Sequence, residues 1–296
     1  MQLNRLPDPG EIHSYAIGAT KVTVLSDGYR SFPLSEGFVL NAGLDEVSGA
    51  LEEAGMPGDT MTIHFNPVLI ETASERVLVD TGNGPEASRE PGATSGFLLE
   101  ALAAANTPPD AIDRVVISHF HGDHVAGLVT DGAPTFPNAE IVVPEAEWRY
   151  WMDDGEMARA PEGRMQNLFA LNRRIFGLVG DRVRRHDEKA EVASGMICMP
   201  TPGHTPGHTS YILSSGDESV FILSDVSNHP ALFARHPGWH AMFDMDPAQA
   251  EATRRRVYDM LAAERMPVQG FHYPLPAHAF VEKDAEGYRV IAVETG

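Results

Sequence analysis

Short apolar runs alternate along the chain with segments of helical periodicity. The apolar runs predict eight strands: Lys21–Leu25, Val68–Glu71, Arg76–Asp80, Val115–Ser118, Glu140–Val143, Met196–Met199, Tyr211–Leu213 and Val220–Leu223. Several are continuous Val/Ile/Leu sequences, which are typical of strands covered on both faces. Helical periodicity predicts helices over about 95–105, 145–152, 164–177 and 247–264. The pattern therefore predicts an α/β sandwich in which two sheets lie between outer helices.

The segment 247–264 carries the clearest helix signals. Asp246 is placed to cap the helix, Pro247 occupies its first turn, and Gln249 completes the spacing of a capping box. Three consecutive arginines, Arg254–Arg256, lie within this segment. Because runs of charge on a helix usually face solvent, we predict that these arginines are exposed.

A cluster of metal-binding residue types follows the predicted strand Val115–Ser118. Residues 119–124 read HFHGDH, which supplies His119, His121, Asp123 and His124. A strand that ends in such a cluster presents it on a turn at the sheet edge, where ions and substrates can reach it. Imidazole and carboxylate together suit Zn²⁺ and similar divalent ions. We therefore predict a metal site at this edge.

Two other predicted strands and the segment 267–271 are followed by residues that could complete the site. His204 follows Met196–Met199 in a tight TPGH turn, Asp225 follows Val220–Leu223, and His272 follows the segment 267–271, PVQGF. Convergence of such strand ends at one sheet edge is what a dinuclear cluster requires. The duplicated motif TPGHTPGH leaves a choice open between His204 and His208.

These motifs, in this order, resemble those of the metallo-β-lactamase-fold hydrolase superfamily. The matching sequences are Val79-Asp80-Thr81-Gly82, HFHGDH, TPGH and the later Asp225 and His272, within a similarity that runs from Val22 to Tyr288. Residues 243–247, Thr253-Arg254, residues 270–276 and His278 resemble the branch that contains methyl parathion hydrolase and related lactonases. The resemblance implies a four-layer αββα sandwich with a dinuclear metal site at the sheet edge, formed by a single domain over residues 1–296.

The resemblance also implies a role for each site residue. One metal would be held by His119, His121 and His204, the second by Asp123, His124 and His272, with Asp225 as the bridge between them. Since the family's ligand is the first histidine of the TPGH motif, His208 is expected to be buried near the site. Asp80 is expected to orient ligands without binding metal. The implied cofactors are two divalent ions, with zinc expected and iron, manganese or cobalt as alternatives.

Asp123 and Asp225 are the candidate catalytic residues. Asp123 could pass a proton to the leaving group, although a solvent water could do so as readily. Cys198 precedes His204, so it does not match the cysteine ligand of the zinc β-lactamases, and we expect it to be buried. Some acyl-homoserine lactonases have a tyrosine shortly after the bridging aspartate. Here Asn228 or His229 could partly replace it, or nothing does.

Charge narrows the range of partners. The chain has 42 acidic and 22 basic residues, and its net charge of −20 disfavours nucleic acid. The basic cluster Arg182–His186 is followed directly by Asp187 and Glu188, so we predict a solvated surface stretch. No stretch approaches the roughly 20 apolar residues of a membrane span, and no secretory signal is visible, so we expect a cytoplasmic protein. A homodimer is compatible with the sequence.

Aromatic and methionine residues are dense in residues 145–177 and 29–66. We expect the first segment to be mainly core, and the second could fold over the metals. An apolar pocket suits a small uncharged ester or lactone, and the sequence places no basic residue near the site to bind an anionic substrate.

The predicted function is that of a dinuclear metal-dependent hydrolase. Its expected substrates are esters or lactones of the arylester or acyl-homoserine-lactone type, with promiscuous phosphotriesterase activity possible in addition. Two alternatives are an iron-dependent redox enzyme of the same fold, such as a persulfide dioxygenase, and a non-catalytic binding module. The complete set of seven candidate ligands argues against both, because a single iron needs only three protein ligands and a binding module is expected to have lost some of them.

Overall fold

The computed structural model describes residues 3–284 and 287–293. In chain order its strands are β1 (Ile12–Ile17), β2 (Thr20–Leu25), β3 (Gly28–Pro33), β4 (Thr60–Phe65), β5 (Val68–Glu71), β6 (Arg76–Val79), β7 (Arg114–Val116), β8 (Val129–Thr130), β9 (Ala133–Pro134), β10 (Glu140–Pro144), β11 (Val183–His186), β12 (Glu191–Ala193), β13 (Met196–Pro200), β14 (Thr209–Ser215), β15 (Glu218–Ser224), β16 (Val268–Gly270), β17 (His278–Lys283) and β18 (Tyr288–Ala292). Its α-helices are α1 (Leu44–Glu53), α2 (Leu98–Ala104), α3 (Gly122–Val125), α4 (Glu145–Trp151), α5 (Asp154–Arg159), α6 (Arg164–Val179) and α7 (Pro247–Glu264). Among the described residues, no helix has both the length and the apolar composition needed to cross a membrane.

Two seven-stranded sheets form the centre of the fold. Sheet 1 has the order β1-β2-β5-β6-β7-β10-β11, and sheet 2 the order β12-β13-β14-β15-β16-β17-β18. The strands β6, β7, β10 and β11 are parallel, as expected where helices connect successive strands. Sheet 2 is antiparallel except for the pair β15 and β16.

Three apolar cores separate four layers. Side chains from α2, α4 and α6 pack on one face of sheet 1, as Leu102, Trp151 and Phe176 do. A second core, which includes Val116 and Tyr211, lies between the sheets. The helix α7 covers the outer face of sheet 2 in a third core. The predicted four-layer αββα sandwich is therefore confirmed.

All eight predicted strands and all four predicted helices are present, with ends that shift by a few residues. The basic cluster predicted to be a solvated surface stretch is mostly partly exposed, and it contributes to β11, the edge strand of sheet 1. There Arg184 pairs with Glu140 at 3.1 Å. Charged side chains are common on edge strands, where they discourage pairing with other chains. The run is therefore both regular structure and partly exposed.

The prediction that Arg254 is exposed is wrong. Its side chain is fully buried, whereas Arg255 and Arg256 are exposed as expected. Helical periodicity explains the difference, because position 254 shares the inner face of α7 with Ala250, Val257 and Leu261. Of the three consecutive arginines, Arg254 therefore belongs to the protein interior and the other two to the surface.

The segment 29–66 forms a cap over one edge of the two sheets. The hairpin β3–β4 and helix α1 pack in a fourth apolar core with the segment Pro230–Ala234. Phe32 and Phe65 of the hairpin also line a cavity that the candidate ligands reach. The prediction that this segment could fold over the site is confirmed.

Candidate metal centre

The seven candidate ligands lie beyond the carboxyl ends of four strands. The loop with His119, His121, Asp123 and His124 follows β7, while His204, Asp225 and His272 follow β13, β15 and β16. Those last three strands run in the same direction within sheet 2, so their ends reach one edge. Asp123 is partly exposed, and the other six side chains are at most 5% exposed.

Asp225 lies at the centre of the cluster. Its Oδ2 atom is 3.0 Å from Nε2 of His272 and 3.2 Å from Nε2 of His204. Its Oδ1 atom is 3.2 Å from Nε2 of His124. Oδ2 of Asp123 lies 3.6 Å from Nε2 of both His124 and His272. The Asp225 carboxylate thus contacts an imidazole that follows a strand of sheet 1 and two imidazoles that follow strands of sheet 2.

Three overlapping groups of potential ligand atoms each lie within 4.8 Å of one another. They are His119 with His121 and His204, His119 with His124 and Asp225, and Asp123 with His124 and His272. The first and third consist of the same residues as the two metal positions that the family resemblance implies. The second links the two through Asp225.

Among the described residues, buried Nε2 of His119 has no hydrogen-bond partner, and Nε2 of His124 and Oδ1 of Asp225, although 3.2 Å apart, do not form a hydrogen bond with each other or with any other atom. Such atoms cost free energy unless something binds them. Burial lowers the pKa of His119 and His121 well below the usual value, so these rings are neutral, the form in which imidazole binds metal. The donor set therefore fits two divalent metal ions of the zinc type, and the predicted cofactors are confirmed.

Other imidazoles of the cluster lie beside carboxylates. Burial disfavours the charged form of His124, but Asp225 and Asp80 raise its pKa well above the usual value. Asp225 likewise raises the pKa of His204 to about 9 against the effect of burial. Metal ions compete with these protons for the same lone pairs, so metal binding here is coupled to proton release.

Each of three candidate ligand imidazoles is oriented through its second nitrogen. Nδ1 of His204 lies 2.9 Å from Oδ1 of Asp244, and Nδ1 of His124 lies 2.9 Å from Oδ2 of Asp80. Nδ1 of His272 donates to a backbone carbonyl oxygen of β4 at 2.7 Å. These contacts fix the tautomers and direct Nε2 toward the cluster. Asp80 lies where the resemblance implied, beside the ligands.

Asp244 and Arg254 support His204, a role that the sequence did not reveal. The guanidinium of Arg254 lies 3.1 Å from Oδ2 of Asp244, and both side chains are fully buried. Further donors of Arg254 bond to the carbonyl oxygens of residues 226, 237 and 239. Asp244 and Arg254 both lie in segments that resemble the family, residues 243–247 and Thr253-Arg254. Asp244 is 40 residues from His204, however, so no local sequence spacing indicates that these two side chains meet.

Glu147 joins the HFHGDH loop to the TPGHTPGH loop and was also missed from the sequence. Its Oε2 accepts hydrogen bonds from the backbone N–H of Phe120 at 2.9 Å and from Nε1–H of Trp151 at 2.7 Å. Its Oε1 accepts from the Thr205 hydroxyl at 2.6 Å and from the Gly207 N–H at 2.7 Å. Burial raises the pKa of Glu147, and these four donors oppose that shift.

Replacing Glu147 with glutamine is expected to lower the free energy of unfolding by about 2–4 kcal/mol, because the amide NH₂ meets two buried donors in place of an acceptor. Urea denaturation measures the change. The control is Glu145→Gln, which weakens a partly exposed contact with Arg149 and should cost below about 1 kcal/mol. Equal losses in the two variants would show that the Glu147 bonds contribute little.

The two glycines of TPGHTPGH pack against different helices. Gly203 has a φ of +131°, and a Cβ there would overlap the backbone of Ala250 in α7. A Cβ on Gly207 would overlap the backbone of Glu147 in α4. The duplication therefore serves two packing contacts, one on each side of the sandwich.

His208 is fully buried, and its ring nitrogens are engaged by the protein. Nε2 accepts a hydrogen bond from the backbone N–H of Asp225 at 3.0 Å, and Nδ1 lies 2.8 Å from the hydroxyl of Thr201. Burial lowers the pKa of His208 to about 3, so the ring is neutral. This arrangement agrees with the choice of His204 as the ligand.

The variants His204→Ala and His208→Ala are expected to differ in metal content. At saturating zinc, His204→Ala should retain one tightly bound ion per chain, because it removes a ligand of one position only. His208→Ala should retain two ions with about tenfold lower affinity. It removes no candidate ligand, only the imidazole that accepts a hydrogen bond from the backbone N–H of Asp225. Metal analysis after gel filtration measures both, with circular dichroism as the folding control. Equal metal loss in both variants would contradict the assignment.

A cavity of about 870 Å³ opens above the candidate ligands. Its apolar wall includes Phe32, Phe65, Leu168, Leu171 and Phe243. The aromatic residues of segment 145–177 are mainly core, as predicted, with Trp151, Phe169 and Phe176 buried under sheet 1.

The expectation that no basic residue lies near the site is wrong. Arg30, Arg164 and Arg174 also line the cavity. They come from β3 and from the first and eleventh residues of α6, and both elements are far from the HFHGDH loop in the sequence.

The residues after Asp225 divide between the cavity and the interior. Asn228 lines the cavity and donates a hydrogen bond from Nδ2 to Oδ2 of Asp225 at 2.8 Å. His229 is buried, and burial lowers its pKa to about 3. Asn228 is therefore the better placed of the two candidate replacements for the tyrosine. Cys198 is a free, buried residue in β13, as predicted.

The fold and this cluster of candidate ligands place the chain in one class of α/β proteins, which sequence comparison identifies. The sequence model of the Metallo-beta-lactamase superfamily matches residues 64–265. This match covers more than half of the chain, so the chain belongs to the metallo-β-lactamase superfamily.

Curated relatives include lactonases. An N-acyl homoserine lactonase of a Bacillus species is 27% identical over 183 residues, which cover 57% of this chain and 65% of that protein. The N-acyl homoserine lactonase AiiA of Bacillus thuringiensis subsp. kurstaki is 29% identical over 194 residues, or 60% of this chain and 70% of that protein. A probable metallo-hydrolase of Mycobacterium tuberculosis is 27% identical over 188 residues, or 55% and 56%. The match to the first of these relatives spans less than two thirds of its length.

Solved structures share the fold over nearly the whole chain. The structure of AidC, described as a dizinc quorum-quenching lactonase in complex with a product, has a TM-score of 0.90 at 24% identity and covers 98% of this chain and 100% of its own. The hydrolase AbOPH of the beta lactamase superfamily has a TM-score of 0.86 at 24% identity, with coverage of 96% and 98%. At these identities the likeness establishes the fold.

Proposed function

We propose that this protein is a dinuclear zinc hydrolase of small carboxylic esters or lactones, of the acyl-homoserine-lactone or arylester type. The observation that carries the proposal is the cluster of seven ligand-type side chains beneath a cavity with an apolar wall. Lactonases among the curated relatives favour lactones. The cavity is also large enough for a drug-sized molecule.

The proposed ligand assignment follows the three groups of neighbouring atoms. One position takes His119, His121 and His204, the other takes Asp123, His124 and His272, and Asp225 bridges the two. A carboxylate can use both oxygens in this way, whereas a neutral imidazole offers a single lone pair. The contacts of Asp225 with imidazoles of both groups support its bridging position.

In such centres the two ions supply Lewis acidity to the scissile carbonyl and to the attacking water. The chain's own residues bind and position the substrate. Leu168, Leu171 and Phe243 offer apolar surface for an acyl or aryl group, and the Asn228 amide holds the Asp225 carboxylate. Asp123 is partly exposed and lines the cavity, so its carboxylate can accept a proton and pass it to the leaving group.

We further propose that residues 1–296 act as one catalytic domain. Both sheets contribute ligands, since the HFHGDH loop follows β7 of sheet 1 and the other three ligands follow strands of sheet 2. Neither sheet could therefore form the centre alone. A weaker phosphotriesterase activity, as in the methyl parathion hydrolase branch, belongs to this proposal because the same chemistry applies to a neutral phosphoryl centre.

A substrate panel on the zinc-loaded protein tests the function. It contains an acyl-homoserine lactone, an aryl ester, a phosphotriester, a β-lactam and a glutathione thioester, each assayed with and without chelator. We expect chelator-sensitive turnover of the lactone or aryl ester and slower turnover of the phosphotriester. Preferential turnover of the β-lactam or the thioester would reject this substrate class. One iron per chain with oxygen uptake would instead indicate redox chemistry.

A further inference from the structure

Three arginines without bonding partners surround the cavity. Among the described residues, the side chains of Arg30, Arg164 and Arg174 form no hydrogen bond or ion pair, and Arg265 is the one other arginine whose side chain forms none. By contrast, the neighbouring Arg173 pairs with Asp154 at 2.6 Å. The chain has 42 acidic residues available for 22 basic ones, so unpaired arginines gathered at one cavity call for a physical reason.

The helix α6 presents two of these arginines on one face. Positions 164, 168, 171 and 174 follow helical spacing, and all four side chains line the cavity. The two ends of this face are basic and the middle, Leu168 and Leu171, is apolar. A rise of 1.5 Å per residue separates the two arginines by about 15 Å along the helix. Leu171 lies near the HFHGDH loop, because a Cβ on Gly122 would be 3.4 Å from its Cδ2.

Arg164 interacts electrostatically with two of the proposed metal ligands, Asp123 and His121. Its guanidinium lies 4.8 Å from the centre of the Phe243 ring, a cation–π contact that holds the side chain over the cavity. Burial lowers the pKa of Arg164 and the nearby Asp123 carboxylate raises it. An arginine remains charged under such shifts, so its N–H donors stay available to a ligand.

We propose that Arg164 binds a carboxylate group of the substrate, so that the natural substrate is an ester or lactone with a second, anionic group remote from the reacting carbonyl. This inference rests on the proposed hydrolase function and replaces the uncharged substrate expected from the sequence. The planar guanidinium matches a carboxylate through two parallel hydrogen bonds. Arg30 and Arg174 add positive potential around the same cavity. Arg164 is thus a specificity-determining residue.

Binding tests the inference without requiring turnover. Hexanoate and adipate have chains of six carbons, but hexanoate ends in a methyl group where adipate has a second carboxylate. Each can place one carboxylate at the metals. Calorimetry with the zinc-loaded protein should show adipate binding about tenfold more tightly than hexanoate. In Arg164→Met the two affinities should differ by less than about threefold, and Arg164→Lys should lie between. Arg289→Met, which removes an exposed charge on β18, should preserve the wild-type ratio.

The same comparison applies to catalysis with 4-nitrophenyl hexanoate and mono-4-nitrophenyl adipate, which share a leaving group. After spontaneous hydrolysis is subtracted, the ratio of kcat/KM for adipate over hexanoate should fall about tenfold in Arg164→Met and stay constant in Arg289→Met. Absence of turnover of both esters, of the lactone and of the phosphotriester would reject the proposed function and leave the binding result to decide the role of Arg164. Equal adipate affinity in the wild type and Arg164→Met would overturn the inference whatever the rates.

Discussion

Replacing Asp225 with alanine is expected to remove bound metal and hydrolytic activity together. The variant should hold less than one tightly bound ion per chain, because the removed carboxylate contacts imidazoles of both ligand groups. Turnover should fall at least about a thousandfold, since the metals supply several kcal/mol of transition-state stabilisation. Metal analysis and steady-state kinetics on the same preparation measure both effects.

The matched control is Asp217→Ala, which removes an exposed carboxylate from the turn before β15. It should keep the metal content and the rate of the wild type. Circular dichroism and the unfolding midpoint of both variants, measured without metal, separate ligand loss from misfolding. An Asp225→Ala protein that binds two ions tightly and turns over at the wild-type rate would refute the bridging role.

Replacing Arg254 with methionine is expected to lower the free energy of unfolding by about 3–5 kcal/mol. The change leaves the fully buried Asp244 carboxylate without its cation, and removing one partner of a buried ion pair has a cost of this size. Zinc affinity should also fall, by about 10–100-fold, because Asp244 orients His204. Urea denaturation and competitive zinc titration measure the two effects.

The next residue along α7 provides the control. Arg255→Met removes an exposed pair with Glu251, and its cost should be at most about 1 kcal/mol. A double variant, Arg254→Met with Asp244→Asn, should recover part of the stability lost in Arg254→Met, since no uncompensated charge remains. If Arg254→Met and Arg255→Met were equally stable, the buried pair would have no special role.

The candidate ligands could be predicted because each follows a strong local signal. Apolar runs that end in His, Asp or a Pro-Gly turn mark the strand ends, and strand ends on one sheet edge meet by geometry. His208 shows the limit of that argument. The repeats TPGH are identical in sequence, and only the hydrogen bond from the Asp225 N–H to His208 shows how the second ring is used.

Contacts between distant segments could not be predicted in the same way. Glu147 lies in the predicted helix over 145–152 with no local signal to mark it, yet it accepts four hydrogen bonds from two loops and a tryptophan. Arg254 looked like part of a solvated run, and Arg164 carried no sequence signal at all. A charged side chain is usually exposed, so its burial or its position in a cavity depends on partners that local periodicity does not encode.

The sequence by itself determined eight of the eighteen described strands, four of the helices, the sandwich of two sheets between outer helices and the residues that can hold two metals. These features follow from the period of apolar positions and from residue types at strand ends, which are local properties. The tertiary structure alone decided which charged residues orient the ligands and which face the substrate. Those roles depend on distances between residues far apart in the chain, and such distances exist only after both sheets and the cap have packed together.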